Sequence, residues 1–266
     1  MHREDLSMSG EATGPQINPG DIILWPMLKL DYDTQPEKIA ALLPPGIETS
    51  ASSQVHLTVY NYPVPDVPEL GILITVDADY QGEPGLYTLG YGIDQESAIF
   101  ISRDQNGQPK YPCDITYYRM LDRVHARCTH QGYTFLEFDG KVTETLENPE
   151  THTETEWWIK VSRGVGLVPD GTYDFPPHVV RVHSTYSTMF NQKVEGTLKL
   201  SDSPWDPIKK LLPIESDVSA RLWSPNFLGR DITLAGKLDA DAFSPFVDTI
   251  SGSRWPGEQG GPRKSA

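Results

Sequence analysis

The sequence predicts a fold dominated by antiparallel β-structure, closed into a barrel or built as a layered sheet. Three observations lead there. About ten segments rich in β-branched and aromatic residues follow one another, partly alternating, with Gly, Pro and Asn between them. Only two stretches read as helical. So many strands with so few helices to cover them must manage their edges, and closure removes an edge.

Taken in order, residues 1–20 and 251–266 are rich in Gly, Pro and charge and are expected to be loose tails around one domain from 21 to 250. "DTQPEKIAALLPPGIE" reads as a short helix: Asp33 or Thr34 as N-cap, Pro36 in the first turn, Ile39, Leu42 and Leu43 on one side, and Pro44 and Pro45 as the stop. The strand-like segments are "QVHLTVYNYPV", "ILITVDADY", "GLYTLGYGI", "SAIFIS", "RVHARCTH", "YTFLEFDGKVTET", "TEWWIKVSR", "HVVRVHSTYSTMF", "KVEGTLKLS" and "DITLAGKLD". A second helical stretch is expected around "WDPIKKLLPIESDVSARLW", broken by Pro213.

Composition narrows the function classes. A chain of 266 residues with 38% hydrophobic content can bury a sizeable core as one large domain. Its net charge of -15 repels phosphate backbones and anionic head groups, so neither a nucleic-acid nor a membrane partner is expected. No apolar run reaches the roughly 18 to 20 residues of a membrane span, and "MHREDLSMSGEATGPQ" lacks the apolar region of a signal peptide. A cytoplasmic protein is expected, with Cys113 and Cys128 as free thiols.

Several constellations fail on spacing. In "HARCTH" a strand points His125 away from Cys128 and His130, so no metal site is expected. The run "ETLENPETHTETE", with Glu144, Glu147, Glu150, Glu154 and Glu156, lacks the ligand order and glycine of a calcium loop and reads as a solvated hairpin tip. "GLYTLGYG" lacks the order of a nucleotide fingerprint, and no phosphate loop or serine elbow occurs, so no cofactor is expected. Tandem Trp157 and Trp158 put one aromatic on each face of a strand.

"ISRDQNGQPKYPCDI" is different. Pro109 and Pro112 stiffen the segment, Gly107 permits an unusual turn, and the apolar run before it aims Lys110 at the end of a sheet. Burial disfavours the ammonium form, and a neutral amine is the nucleophile that makes an imine with a carbonyl substrate.

Here the sequence resembles the acetoacetate decarboxylase superfamily. "YTLGYGIDQESAIFISRDQNGQPKY" matches without a gap its pattern of a tyrosine-led strand, an acidic turn, an arginine and a Pro-Lys pair. "GTLKLSDSPWDPIKKLLPIESDVSARLWSPNFLGRDITLAG" resembles its closing pattern, and "KIAALLPPGIE" its opening helix. The resemblance implies a single α+β, β-dominated domain: a closed β-cone or barrel that holds the active site, a flanking antiparallel sheet, few short helices, and a homo-oligomer.

By the same resemblance Lys110 falls on the Schiff-base lysine and Glu69 on the catalytic glutamate, once a two-residue insertion is allowed. Arg103 matches the arginine before the catalytic loop. Tyr111 stands where true acetoacetate decarboxylases carry a second lysine, Trp25 where they carry an arginine, and Thr58 where they carry a further glutamate. Tyr111 and Gln108 are expected near the substrate carbonyl, Trp25 and Thr58 in the pocket, and Lys29, Arg103 or Arg119 as substitutes for the missing carboxylate-binding arginine. Three readings follow: decarboxylation of a β-keto acid other than acetoacetate through an imine on Lys110; aldol or dehydration chemistry through the same imine; or a catalytically silent barrel that binds a small carbonyl compound.

Overall fold

The computed structural model describes residues 26–62, 69–167, 172–247 and 255; Trp25 and nearly all of both expected tails lie outside them. The chain runs through β1 (Met27–Asp33), α1 (Pro36–Ala40), β2 (Glu48–Thr49), β3 (Gln54–Tyr62), β4 (Glu69–Tyr80) and β5 (Glu83–Ile93). It continues through α2 (Glu96–Asn106), β6 (Lys110–Pro112), β7 (Asp114–Met120), β8 (Arg123–His130), β9 (Tyr133–Thr145) and β10 (His152–Arg163). The last elements are β11 (Tyr173–Leu200), α3 (Ile208–Leu211), β12 (Ser219–Lys237) and a single 3-10 turn at Ser244–Phe246.

The strands form one 12-stranded mixed sheet in the order β10-β5-β4-β3-β1-β12-β11-β9-β8-β7, and β10 also pairs with β11. That pairing closes a ring of β10, β5, β4, β3, β1, β12 and β11, leaving β9, β8 and β7 as a flanking sheet. The 28-residue β11 serves both layers: Tyr173 to Tyr186 pairs with β10, and Gln192 to Leu200 with β9. Register shifts at Val179/Val180, Thr185/Tyr186 and Thr188/Phe190 supply the bends that let one strand leave the ring. Ring pairings are antiparallel except β5 with β10. The fold is therefore α+β and β-dominated.

Alternation along the ring strands decides what the barrel holds. Leu28, Leu30, Val55, Leu57, Val59, Ile72, Ile74 and Val76 face outward into a core completed by Ala126, Cys128, Leu136 and Phe138 of the flanking sheet. Each nearly fully buried aliphatic side chain contributes roughly 1.5–3 kcal/mol relative to exposure. With period two, Lys29, Asp31, His56, Thr58, Tyr60, Glu69, Leu73, Thr75 and Asp77 then face the lumen. The barrel is apolar outside, where the second sheet covers it; within, polar side chains share the lumen with an apolar cluster around Trp158, Val180 and Val182. Trp157 joins this core and Trp158 a second cluster with Ile93, Ile99, Val180 and Val182, one on each face of β10.

Four local expectations are corrected. "SAIFIS" is part of helix α2: only Ile99 is buried, against Trp158, Val180 and Val182, while Phe100 and Ile101 are each 63% exposed, a spacing that turns with a helix. In the second helical stretch only Ile208–Leu211 is helical; Ala220 and Leu222 belong to β12 and fill the core. The first helix starts at Pro36 after an N-cap at Gln35, because Asp33 is taken up by β1 and the Thr34 N–H donates to the Ser53 carbonyl. Glu154 and Glu156 are not at a solvated tip: β10 begins at His152 and directs both into the barrel.

His125 meets Asp139 at 2.8 Å on one face of β8, and His130 meets Asp206 at 2.7 Å on the other. Cys113 and Cys128 are buried free thiols. No helix among the described residues is long and apolar enough to cross a membrane.

Candidate active site

Lys110 is delivered by a short, heavily constrained connection. Helix α2 ends at Gly107 in the left-handed conformation, φ 69, where the Gly107 and Gln108 N–H groups donate to the Arg103 and Ser102 carbonyls at 3.0 and 3.3 Å. A Cβ at 107 would also lie 2.5 Å from the Ile159 carbonyl oxygen, so only glycine fits. The chain then turns about Pro109, with the Lys110 N–H donating to the Gln108 carbonyl at 2.7 Å, and β6 pairs Lys110 with Tyr91 of β5. Lysine 110 thus joins the barrel wall without occupying a ring strand.

Its side chain is 9% exposed, and Nζ donates to Glu69 Oε2 at 3.0 Å; Glu69 is equally buried. The other oxygen, Oε1, accepts from Tyr60 Oη at 2.9 Å. Burial first, then the Glu69 charge and hydrogen bond, push the Tyr60 phenol well above its ordinary range, so it stays a donor. Tyr60 reaches Glu69 by lying across its β4 partner Gly71, where a Cβ would overlap the Tyr60 ring.

These groups line a cavity of about 280 Å³ in the barrel. Across it Glu156 Oε2 accepts from Tyr91 Oη at 2.7 Å, Thr88 Oγ1 at 3.2 Å and Trp158 Nε1 at 3.2 Å. Lys29 Nζ donates to Glu154 at 3.1 Å and lies 4.4 Å from the centre of the Trp223 ring. Burial works to raise the Glu154 carboxyl, but the Lys29 charge and the Lys29 and His152 hydrogen bonds outweigh it and hold it well below the carboxylate range. Arg230 donates from Nε to Ser184 Oγ at 2.9 Å and from a terminal nitrogen to Tyr186 Oη at 3.2 Å. Lys29, Thr58, Leu73, Glu154 and Glu156 also border a second chamber of about 490 Å³ toward the other barrel end, where His56 bridges Asp31 at 2.7 Å and Asp77 at 3.0 Å.

Among the residues anticipated from sequence, Lys110, Glu69, Gln108 and Thr58 are brought together on this cavity, as is Lys29. Tyr111 is not: strand alternation turns it to the opposite face of β6, where it is 1% exposed and packs on His130 at 4.9 Å between ring centres. Arg103 is exposed on α2, and partial desolvation lowers its guanidinium from the usual value. Arg119 lies on β7, bonded to Gln192 at 2.7 Å, outside the cavity lining. Trp25 falls outside the described residues. Tyr60, Tyr91, Glu154, Glu156 and Arg230 were not anticipated; for Tyr60, Tyr91 and Glu156 the available signal was period two within segments already read as strands, whereas Glu154 and Arg230 fall just outside those segments.

The family model for acetoacetate decarboxylase matches residues 8–238. No curated protein matches the chain in sequence. Solved structures do match in fold. An acetoacetate decarboxylase from Legionella pneumophila superposes with a TM-score of 0.66 at 19% identity, covering 88% of this chain and 93% of that one. An acetoacetate decarboxylase-like enzyme from Sphingomonas wittichii RW1 gives 0.67 at 16% identity, covering 80% and 92%. The enduracididine biosynthesis enzyme MppR, complexed with the condensation product of pyruvate and imidazole 4-carboxaldehyde, gives 0.60 at 17% identity, covering 78% and 87%.

Proposed function

The chain belongs to the acetoacetate decarboxylase family, and from that premise we propose that it is a carbon–carbon lyase acting on a keto acid through an imine on Lys110. The observation that carries this reading is the buried Lys110–Glu69 pair, 3.0 Å apart on the wall of a cavity inside the barrel. The proton that the ammonium must lose has an acceptor within hydrogen-bond reach, which is the first requirement of a general base.

In the proposed cycle the neutral Lys110 amine adds to the ketone carbon. Glu69, carrying the proton it took from Lys110, passes it to the carbinolamine oxygen, which leaves as water and gives the iminium ion. In the decarboxylase version the electron pair of the bond to the carboxylate moves into the iminium, CO2 departs and an enamine remains. Glu69, reprotonated from water, donates to the enamine carbon, and hydrolysis of the resulting iminium returns the free amine. Tyr60 keeps the Glu69 carboxyl oriented, and burial of the Lys110–Glu69 pair keeps the reacting groups away from bulk solvent.

A second reading, aldol or dehydration chemistry from the same iminium, draws support from Tyr91, a hydroxyl on the cavity wall that donates to Glu156 and can redirect that proton to a second carbonyl. The structural neighbour MppR holds a condensation product of pyruvate and an aldehyde. Borohydride reduction in the presence of a panel of keto acids and aldehydes, read by intact mass, tests imine formation and substrate class together. Release of CO2 from the trapped substrate marks the first reading, and a condensation or dehydration product the second. A barrel that binds carbonyl compounds without trapping any of them contradicts both. Cytoplasmic location and homo-oligomer formation belong to the same proposal.

A further inference from the structure

Three cations line the cavity, and two already have carboxylate partners: Lys110 with Glu69 and Lys29 with Glu154. Arg230 differs. Its side-chain hydrogen bonds, at 2.9 and 3.2 Å, go to the neutral hydroxyls of Ser184 and Tyr186, and among the described residues no ion pair includes it. The remaining cavity carboxylate, Glu156, is engaged by Tyr91, Thr88 and Trp158. A guanidinium carries five donors in a fixed fork. Two neutral contacts orient that fork, and the Glu156 charge acts on it through space without a direct ion pair.

Its position gives it a direction. Lys110 hangs on β5 through β6, whereas Arg230 lies on β12. Around the closed ring β12 is separated from β5 by β10 and β11 on one side and by β4, β3 and β1 on the other, so the two side chains approach the lumen from opposite walls. Both line one cavity, so a substrate tethered to Lys110 shares it with Arg230.

We propose that Arg230 anchors a substrate carboxylate that is retained through the reaction, so that the preferred substrates are oxo acids whose acid group lies away from the bond being broken. The proposal rests on the imine reading and deepens it. A departing carboxylate loses its charge in the transition state, so a strong ion pair to it would favour the ground state and slow its loss. A retained carboxylate keeps the same ion pair from ground state to transition state and gains orientation. Bidentate recognition of a carboxylate is what the arginine fork provides and an ammonium does not.

The test uses the full chain with a series of oxo acids from pyruvate to 5-oxohexanoate, each beside its methyl ester, trapped by borohydride over a range of concentrations. Wild type should reach half-maximal trapping with the preferred acid at about 10- to 100-fold lower concentration than with its ester, the range of one charge-assisted contact. Arg230→Gln should abolish that preference, and Arg230→Lys should restore part of it; melting curves check that both variants fold. No preference for any acid in wild type, or a preference untouched in Arg230→Gln, overturns the inference. Should no compound be trapped by wild type, the imine reading fails separately, and calorimetric binding of the same acids and esters to wild type and Arg230→Gln decides the Arg230 claim: loss of acid preference sustains it, and its persistence or prior absence overturns it.

Discussion

Lys110 Nζ and Glu69 Oε2 are 3.0 Å apart although β6 and β4 are not paired with each other; β5 lies between them. The two side chains meet because β6 pairs in parallel with the end of β5 just where β4 begins, and both turn into the lumen. Proton transfer within this pair links nucleophile and acid in one contact. Glu69→Gln should keep slow adduct formation and lose turnover by about 10²- to 10⁴-fold, measured as kcat on any trapped substrate. Tyr60→Phe should cost less in rate and lower stability by about 1–3 kcal/mol, because a buried carboxylate oxygen loses its donor.

Gly71 tests the same pair at one remove. It touches neither Lys110 nor the reacting atoms, yet its missing Cβ is the space Tyr60 occupies. Gly71→Ala should displace the Tyr60 ring, lower turnover and destabilise the fold by roughly 1–3 kcal/mol as an overpacked site. The double variant with Tyr60→Phe checks the cause: a shorter-reaching effect than the sum of the two singles is expected, since both act through one contact.

His56 gives a pH signature. Burial works to lower its pKa, but hydrogen bonds and charge from Asp31 and Asp77 outweigh it, and the imidazole is pushed up to about 9 from 6.5. A raised folded-state value stabilises the fold while the unfolded histidine is still protonated, below pH 6.5, and that contribution fades as pH rises toward 9. The melting temperature of wild type should exceed that of His56→Gln most near pH 6, with the gap narrowing steadily to pH 9.5. A gap that widens with pH contradicts the assignment.

Tyr111→Lys separates this chain from relatives with two adjacent lysines. Because Tyr111 is buried on the far side of β6 beside His130, the new ammonium would enter the core and not the cavity. Lower thermal stability is expected, with no shift of the acidic limb of the pH–rate profile. A shift of that limb to lower pH would mean that the new lysine reaches Lys110.

Much of the barrel was legible because its strands alternate and its turns carry Gly, Pro and Asn; "RVHARCTH" and the tandem tryptophans lie as their spacing dictates. Lys110 and Glu69 were legible because a proline-flanked lysine and a family resemblance converge on them. Arg230, Glu154 and Glu156 were not, for a physical reason: a lumen-facing charge and a solvent-facing charge share the same period, and only ring closure distinguishes them. The misreading of "SAIFIS" has a similar origin, since a four-residue apolar run carries too few turns to reveal a helix. Tyr111 was drawn toward the site because it falls where the resemblance puts a second lysine, directly after Lys110, yet in a strand adjacent residues point to opposite faces.

The most direct test is to find which lysine carries the reduced imine. Wild type and Lys141→Ala, whose lysine pairs with Asp122 on the exposed surface, are treated with a keto acid and borohydride, digested and mapped by peptide mass beside Lys110→Ala. The account predicts a single adduct on Lys110 in the first two proteins, and in Lys110→Ala a folded protein with neither adduct nor turnover. Turnover at the wild-type rate in Lys110→Ala, or an adduct on another lysine that accounts for activity, would contradict it.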